Sequence, residues 1–116
     1  MNANDYQKLA SRTLIAKPDF DITDKKVMLS WWALGLSGEA GEVADLIKKG
    51  IYHQQGIDEL KLKKELGDVL WYIAALCTEM GFTMEEVMQQ NVEKLKARFP
   101  DGYSPERTTF KEGNAE

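Results

Sequence analysis

The sequence predicts an all-α fold: an antiparallel helical hairpin core with flanking helices, of the four-helix-bundle type. Three observations carry this. Apolar residues recur at helical spacing almost throughout the stretch between Pro18 and Pro100. No segment shows the strict alternation of a half-buried strand. The three prolines, Pro18, Pro100 and Pro105, leave the middle of the chain uninterrupted.

The elements follow in chain order. Asn4, with Gln7 three residues on, predicts the start of a first helix that puts Tyr6, Leu9, Ala10 and Thr13 on one face and stops before Pro18. KPDFDITD reads as a loop. A long second helix is predicted over about 24–49, with Gly50 just beyond its end and Lys48 and Lys49 facing the negative end of its dipole. GIYHQQGID is a short connection, and a third helix over about 58–80 stops at Gly81. Thr83 and Glu86 form a capping box for the fourth helix, Phe82 can staple onto Val87, and Pro100 ends it. Residues 1–100 then form one domain and 101–116 an irregular C-terminal tail.

Bulk composition narrows the class. A chain of 116 residues, 43% apolar and 29% charged, suits one globular domain. Nineteen acids against 15 Lys and Arg give a net charge of -4, which excludes a general nucleic-acid coat. A single cysteine, Cys77, rules out an internal disulfide and fits a reducing, cytoplasmic setting. No apolar run has the length to span a bilayer, and MNANDYQKLA lacks the apolar centre of a signal peptide, so no membrane role is expected.

Four acids break the pattern. Glu39 and Glu42 stand three apart in GLSGEAGEVADLIKKG, and Glu65 and Asp68 stand three apart in ELGDVLWYIAAL. On a helical wheel Glu39 falls inside the stripe of Leu29, Trp32, Leu36, Val43, Leu46 and Ile47, with Glu42 at its edge. Glu65, Asp68 and Tyr72 lie along one margin of the stripe of Leu62, Leu66, Val69, Ile73, Leu76 and Met80. Both acid pairs are centred on the point between His53 and Gln54. An antiparallel hairpin turning there brings Glu42 level with Glu65 and Glu39 level with Asp68. Carboxylates gathered at such a seam repel one another and lose hydration, so they must protonate, find cations or bind metal. An all-oxygen set suits a hard divalent ion, Mg²⁺ or Mn²⁺. The plainer reading, solvated helix faces with edge carboxylates, stays open, because acid-x-x-acid pairs such as Asp21/Asp24 also arise by chance.

SGEAGEVADLIKK, then ELGDVLWYIAALC, then NVEKLKARFP, resemble the MazG-like all-α NTP pyrophosphohydrolases over roughly 28–100. The opening DYQKLASRT resembles the start of their small single-domain members. The resemblance implies a homodimer or homotetramer that hydrolyses nucleoside triphosphates to monophosphate and pyrophosphate, in nucleotide-pool house-cleaning. It implies Mg²⁺, with Mn²⁺ as a substitute, held by Glu39, Glu42, Glu65 and Asp68, and Glu39 or Glu42 as the proton acceptor. Tyr72 matches a position that lines the nucleotide pocket of dCTP-cleaving relatives. Gly38 stands where relatives of the dimeric dUTPase type carry another acid, which counts against that substrate.

Further substrate contacts are candidates. Asn91, Lys94 and Arg98 share a helix face and are expected to meet phosphates, or to form a solvated stripe. Lys49 is a phosphate candidate or a helix-terminal charge. Trp31 is a candidate for base stacking or for a second buried surface, and Trp71 for subunit contact. Arg107 is a candidate for reaching a neighbouring subunit's site. Two other readings remain: phosphoribosyl-ATP pyrophosphohydrolase on the same helical core, and a non-catalytic helical oligomerisation module.

Overall fold

The computed structural model describes residues 1–14, 25–53 and 55–106. Four helices account for most of them: α1 (Ala3–Ser11), α2 (Lys25–Tyr52), α3 (Glu59–Met80) and α4 (Met84–Arg98). The described residues hold no strand beyond an isolated bridge between Pro100 and Gly102. The chain divides into two compact units, Met1–Thr83 and Met84–Glu116.

In the first unit α2 and α3 form an antiparallel hairpin, and α1 lies on α3. The α1 start corrects the sequence expectation by two residues. Asn2, not Asn4, is the cap: its side chain accepts from Asp5 N at 2.8 Å, and Asn2 N donates to Asp5 Oδ2 at 3.4 Å. The end of α2 also differs. Gly50 is a buried helical residue rather than the one past the end, and α2 runs on to Tyr52. Lys25 is the first described residue of α2, so the expected start at 24 lies outside the described residues, as do Arg107 and the loop at 17–24. At α3 the expectation and the structure agree. Asp58 caps the start by accepting from Lys61 N at 3.2 Å, and Gly81, at φ 81°, closes the end in the left-handed region.

The core of this unit sits at the end of the hairpin away from its turn, where Trp32, Ala74, Ala75, Cys77 and Ala10 are buried. Trp32 donates Nε1–H to Glu79 Oε1 at 3.0 Å, so its one polar atom is satisfied while the ring stays dry. Replacing Glu79 by Ala strands that donor. The expected cost is roughly 1–3 kcal/mol of unfolding free energy, read from urea denaturation. Trp71, a candidate for subunit contact, donates its Nε1–H to Thr13 Oγ1, two residues beyond α1, at 2.7 Å. Its ring packs edge-on to Trp32 and Tyr72, at centroid distances of 5.6 and 5.0 Å. Periodicity overstates the stripe on α3, since Leu66 and Met80 remain 45% and 46% exposed.

The second unit is α4 followed by a turn in which Phe99 N donates to Leu95 O at 2.8 Å and Gly102 N to Phe99 O at 3.1 Å. Phe99 and Tyr103 pack at 5.6 Å, and the Arg98 guanidinium lies 5.9 Å from the Phe99 ring centroid.

Candidate metal centre

Two helices supply the carboxylates. Glu39 comes from the middle of α2, and Glu65 and Asp68 come from the facing turn of α3. One oxygen from each lies within 4.8 Å of the others. Glu39 and Glu65 are half-buried and Asp68 is exposed. Burial raises the Glu39 carboxyl above its ordinary value; a hydrogen bond with Glu65 and the charges of Asp68, Glu65 and Glu42 push the same way. The cluster therefore concentrates negative charge at a half-dry seam. Its donor chemistry, three carboxylates and no nitrogen or sulfur, fits a hard divalent cation such as Mg²⁺ or Mn²⁺.

Glu42 is placed differently from the other three. It is exposed and lies outside the group within 4.8 Å, although its charge is felt at Glu39. It lines a cavity of about 700 Å³ at the turn end of the hairpin, together with Glu65, Lys49, Lys61 and Lys64. Glu65 thus belongs both to the carboxylate cluster and to the cavity wall. Lys49 pairs with Asp45 at 2.8 Å, an (i, i+4) bond that holds the Asp45 carboxyl below its ordinary value and the Lys49 ammonium above its own. Both groups are well exposed, so the pair positions Lys49 more than it stabilises the fold.

The remaining sequence candidates separate. The Tyr72 ring packs against α2 at Gly35 and among Trp32 and Trp71. Trp31 is half-buried, with its ring 6.4 Å from Trp32. Asn91, Lys94 and Arg98 all belong to α4, in the second unit.

Three residues near the carboxylates were not singled out from sequence. Tyr6, carried by α1, donates its hydroxyl to Gly67 O at 3.4 Å, beside Asp68. Burial and the Asp68 charge both raise its phenol above the ordinary value. Its sequence signal, a place on the apolar face of α1, reads as packing. Lys61 and Lys64 stand one turn and one residue before Glu65, a spacing that signals charge on the α3 surface but not a cavity.

This arrangement defines an all-helical protein whose hairpin presents clustered carboxylates beside a lysine-lined cavity. The MazG nucleotide pyrophosphohydrolase domain matches residues 30–103, and the chain belongs to that family. It is also 38% identical over 104 residues to the Gene 37 protein of Mycobacterium phage L5, covering 84% of this chain and 89% of the phage protein. No solved structure gives a significant match. Membership implies nucleotide pyrophosphohydrolase activity. Among the described residues, no helix is long and apolar enough to cross a membrane.

Proposed function

We propose that the protein is a Mg²⁺-dependent nucleoside triphosphate pyrophosphohydrolase, with Mn²⁺ as a substitute. It cleaves a nucleoside or deoxynucleoside triphosphate to the monophosphate and pyrophosphate, as a nucleotide-pool house-cleaning enzyme. The observation that carries the reading is the Glu39, Glu65 and Asp68 group, seated on the hairpin of a MazG domain. When bound, the ion neutralises carboxylate and phosphate charge together, which is most of what phosphoryl transfer requires.

The chain's own residues supply the rest. Glu39, Glu65 and Asp68 hold the ion from two helices. Lys49, Lys61 and Lys64 offer cations along the adjoining cavity wall, where the phosphates beyond the cleaved anhydride have room. Glu42, outside the cluster but on the same wall, orients a water and takes its proton on a carboxylate oxygen. The water oxygen bonds to phosphorus, the α–β anhydride bond breaks, and its electron pair leaves on pyrophosphate. Asn91, Lys94 and Arg98 of α4 are further phosphate contacts in this proposal. Assembly as a homodimer or homotetramer is supported by large apolar groups left open in the first unit, Leu34 at 73% and Leu60 at 64% exposure.

A panel of nucleoside and deoxynucleoside triphosphates, assayed for both products with Mg²⁺, Mn²⁺ or EDTA, tests the reading. Equimolar monophosphate and pyrophosphate, lost with EDTA, is the expected result. A folded protein that turns over no nucleotide with either ion would reject it.

A further inference from the structure

The cluster depends on register. A slip of one residue between antiparallel helices displaces a side chain by about 1.5 Å along the axis and turns it by about 100°. Either change separates Glu39 from Asp68. Apolar spacing alone does not prevent a slip, because the stripes on α2 and α3 offer neighbouring turns of similar character.

A lock is visible one helical turn away from the carboxylates. Gly35 precedes Glu39 by four residues, and Tyr72 follows Asp68 by four, so each shares a helix face with its acid. The Tyr72 ring lies flush on the Gly35 backbone. A Cβ built at Gly35 falls 2.7 Å from Tyr72 Cδ1, and nearer still to Cε1 and Cζ. The ring has little freedom to retreat. Trp71 meets it edge-on at 5.0 Å and Trp32 flanks it at 6.4 Å. Both indoles are anchored, Trp32 to Glu79 and Trp71 to Thr13. By contrast, Gly38 and Gly41 on the same helix have nothing within 4 Å of an added Cβ.

A second close approach lies at the other end of the cluster. A Cβ on Gly50 would stand 2.9 Å from Gly56 O and 2.9 Å from Ile57 Cγ1. Gly35/Tyr72, Glu39/Asp68, Glu42/Glu65 and Gly50/Ile57 all fall on one antiparallel register, each step forward in α2 matched by an equal step back toward α3. The carboxylates therefore sit between two points at which the paired segments touch through a missing side chain.

We propose that Gly35 and Tyr72 are a positioning pair, a register clamp that holds Glu39 level with Asp68 and so shapes the carboxylates for a divalent cation. The proposal rests on the reading of the cluster as a cation site. It gives Tyr72 a role that needs no contact with substrate. Among the three tryptophans, Trp32 and Trp71 act through Tyr72 by walling in its ring.

Mn²⁺ binding, followed by loss of the free-ion paramagnetic resonance signal, reads the clamp without any turnover. Gly35→Ala is expected to raise the Mn²⁺ dissociation constant about 10- to 100-fold, the range for disturbing the support of a metal site. Gly41→Ala, on the same helix, is expected to leave it within about threefold, given the open space there. The decisive variants are at position 72. Tyr72→Phe keeps a ring on Gly35 and is expected to bind Mn²⁺ within about threefold of the native protein, whereas Tyr72→Ala removes the ring and is expected to lose about 10- to 100-fold in affinity. Unchanged Mn²⁺ binding in Gly35→Ala or in Tyr72→Ala, or an equal loss in Tyr72→Phe, would overturn the clamp and leave the cation site standing. A wild-type protein that binds no Mn²⁺ would overturn both. If Gly35→Ala fails to fold, the contrast between Tyr72→Phe and Tyr72→Ala still decides by the same measure.

Discussion

Glu65→Gln is expected to lower kcat/KM for nucleoside triphosphate hydrolysis by roughly 10²- to 10³-fold, the size of effect seen when one preorganised electrostatic group is removed from an active site. Glutamine keeps the shape and the capacity to bond Glu39, so the fold has little reason to change. What it lacks is charge at the position shared by the carboxylate cluster and the cavity wall. Loss there weakens the hold on the ion and on the phosphates together. Steady-state kinetics at several Mg²⁺ concentrations check this, because excess Mg²⁺ should restore part of the activity. Glu42→Gln provides the contrast. Its carboxylate stands outside the cluster, so its loss is expected to lower kcat with less effect on the Mg²⁺ dependence. Equal Mg²⁺ dependence in the two variants would return Glu42 to the set of cation ligands.

That contrast marks how far the sequence could be read. Hairpin topology and register were legible because they follow from two simple constraints, helical apolar spacing and acid pairs centred on one short connection. The α3 stop at Gly81 was legible for a similar reason, since it is a local dihedral. Side-chain direction was harder. A wheel puts Glu39 and Glu42 about 60° apart on α2, close enough that both read as facing the seam. In the structure Glu39 is half-buried while Glu42 opens onto the cavity. Contacts between distant segments left no trace at all. Trp71 reads from sequence as a candidate for subunit contact, because nothing local points to its bond with Thr13, 58 residues away. Nothing local in the sequence marks Gly35, whose neighbour is the Tyr72 ring on the facing helix. Lys61 and Lys64 needed the cavity to give them meaning.

Cation binding should also govern stability, with a sign that the geometry fixes. The Glu39 carboxyl is raised from its ordinary value of 4.5, first by burial, then by the bond with Glu65 and by the charges around it. Below that ordinary value both folded and unfolded chains hold the proton, and the fold bears no penalty. Between the ordinary and the raised value the unfolded chain has released the proton while the folded chain keeps it. Stability therefore falls as pH rises through this window, and the loss persists above it. Without divalent ions, the melting temperature is expected to decline from mildly acidic to neutral pH. Glu39→Gln should flatten that decline and raise the metal-free melting temperature at pH 7. Added Mg²⁺ should reverse the effect in the native protein, since an ion that binds only the folded state at 100 times its dissociation constant contributes about 2.7 kcal/mol, roughly 10 °C in melting temperature. The variant should gain little from Mg²⁺, having lost a ligand. Thermal denaturation across pH 4.5–8, with EDTA or Mg²⁺, reads all of these together. A Glu39→Gln protein less stable than the parent in EDTA at pH 7 would show that Glu39 supports the fold, against the strain that burial and its acidic neighbours impose on it.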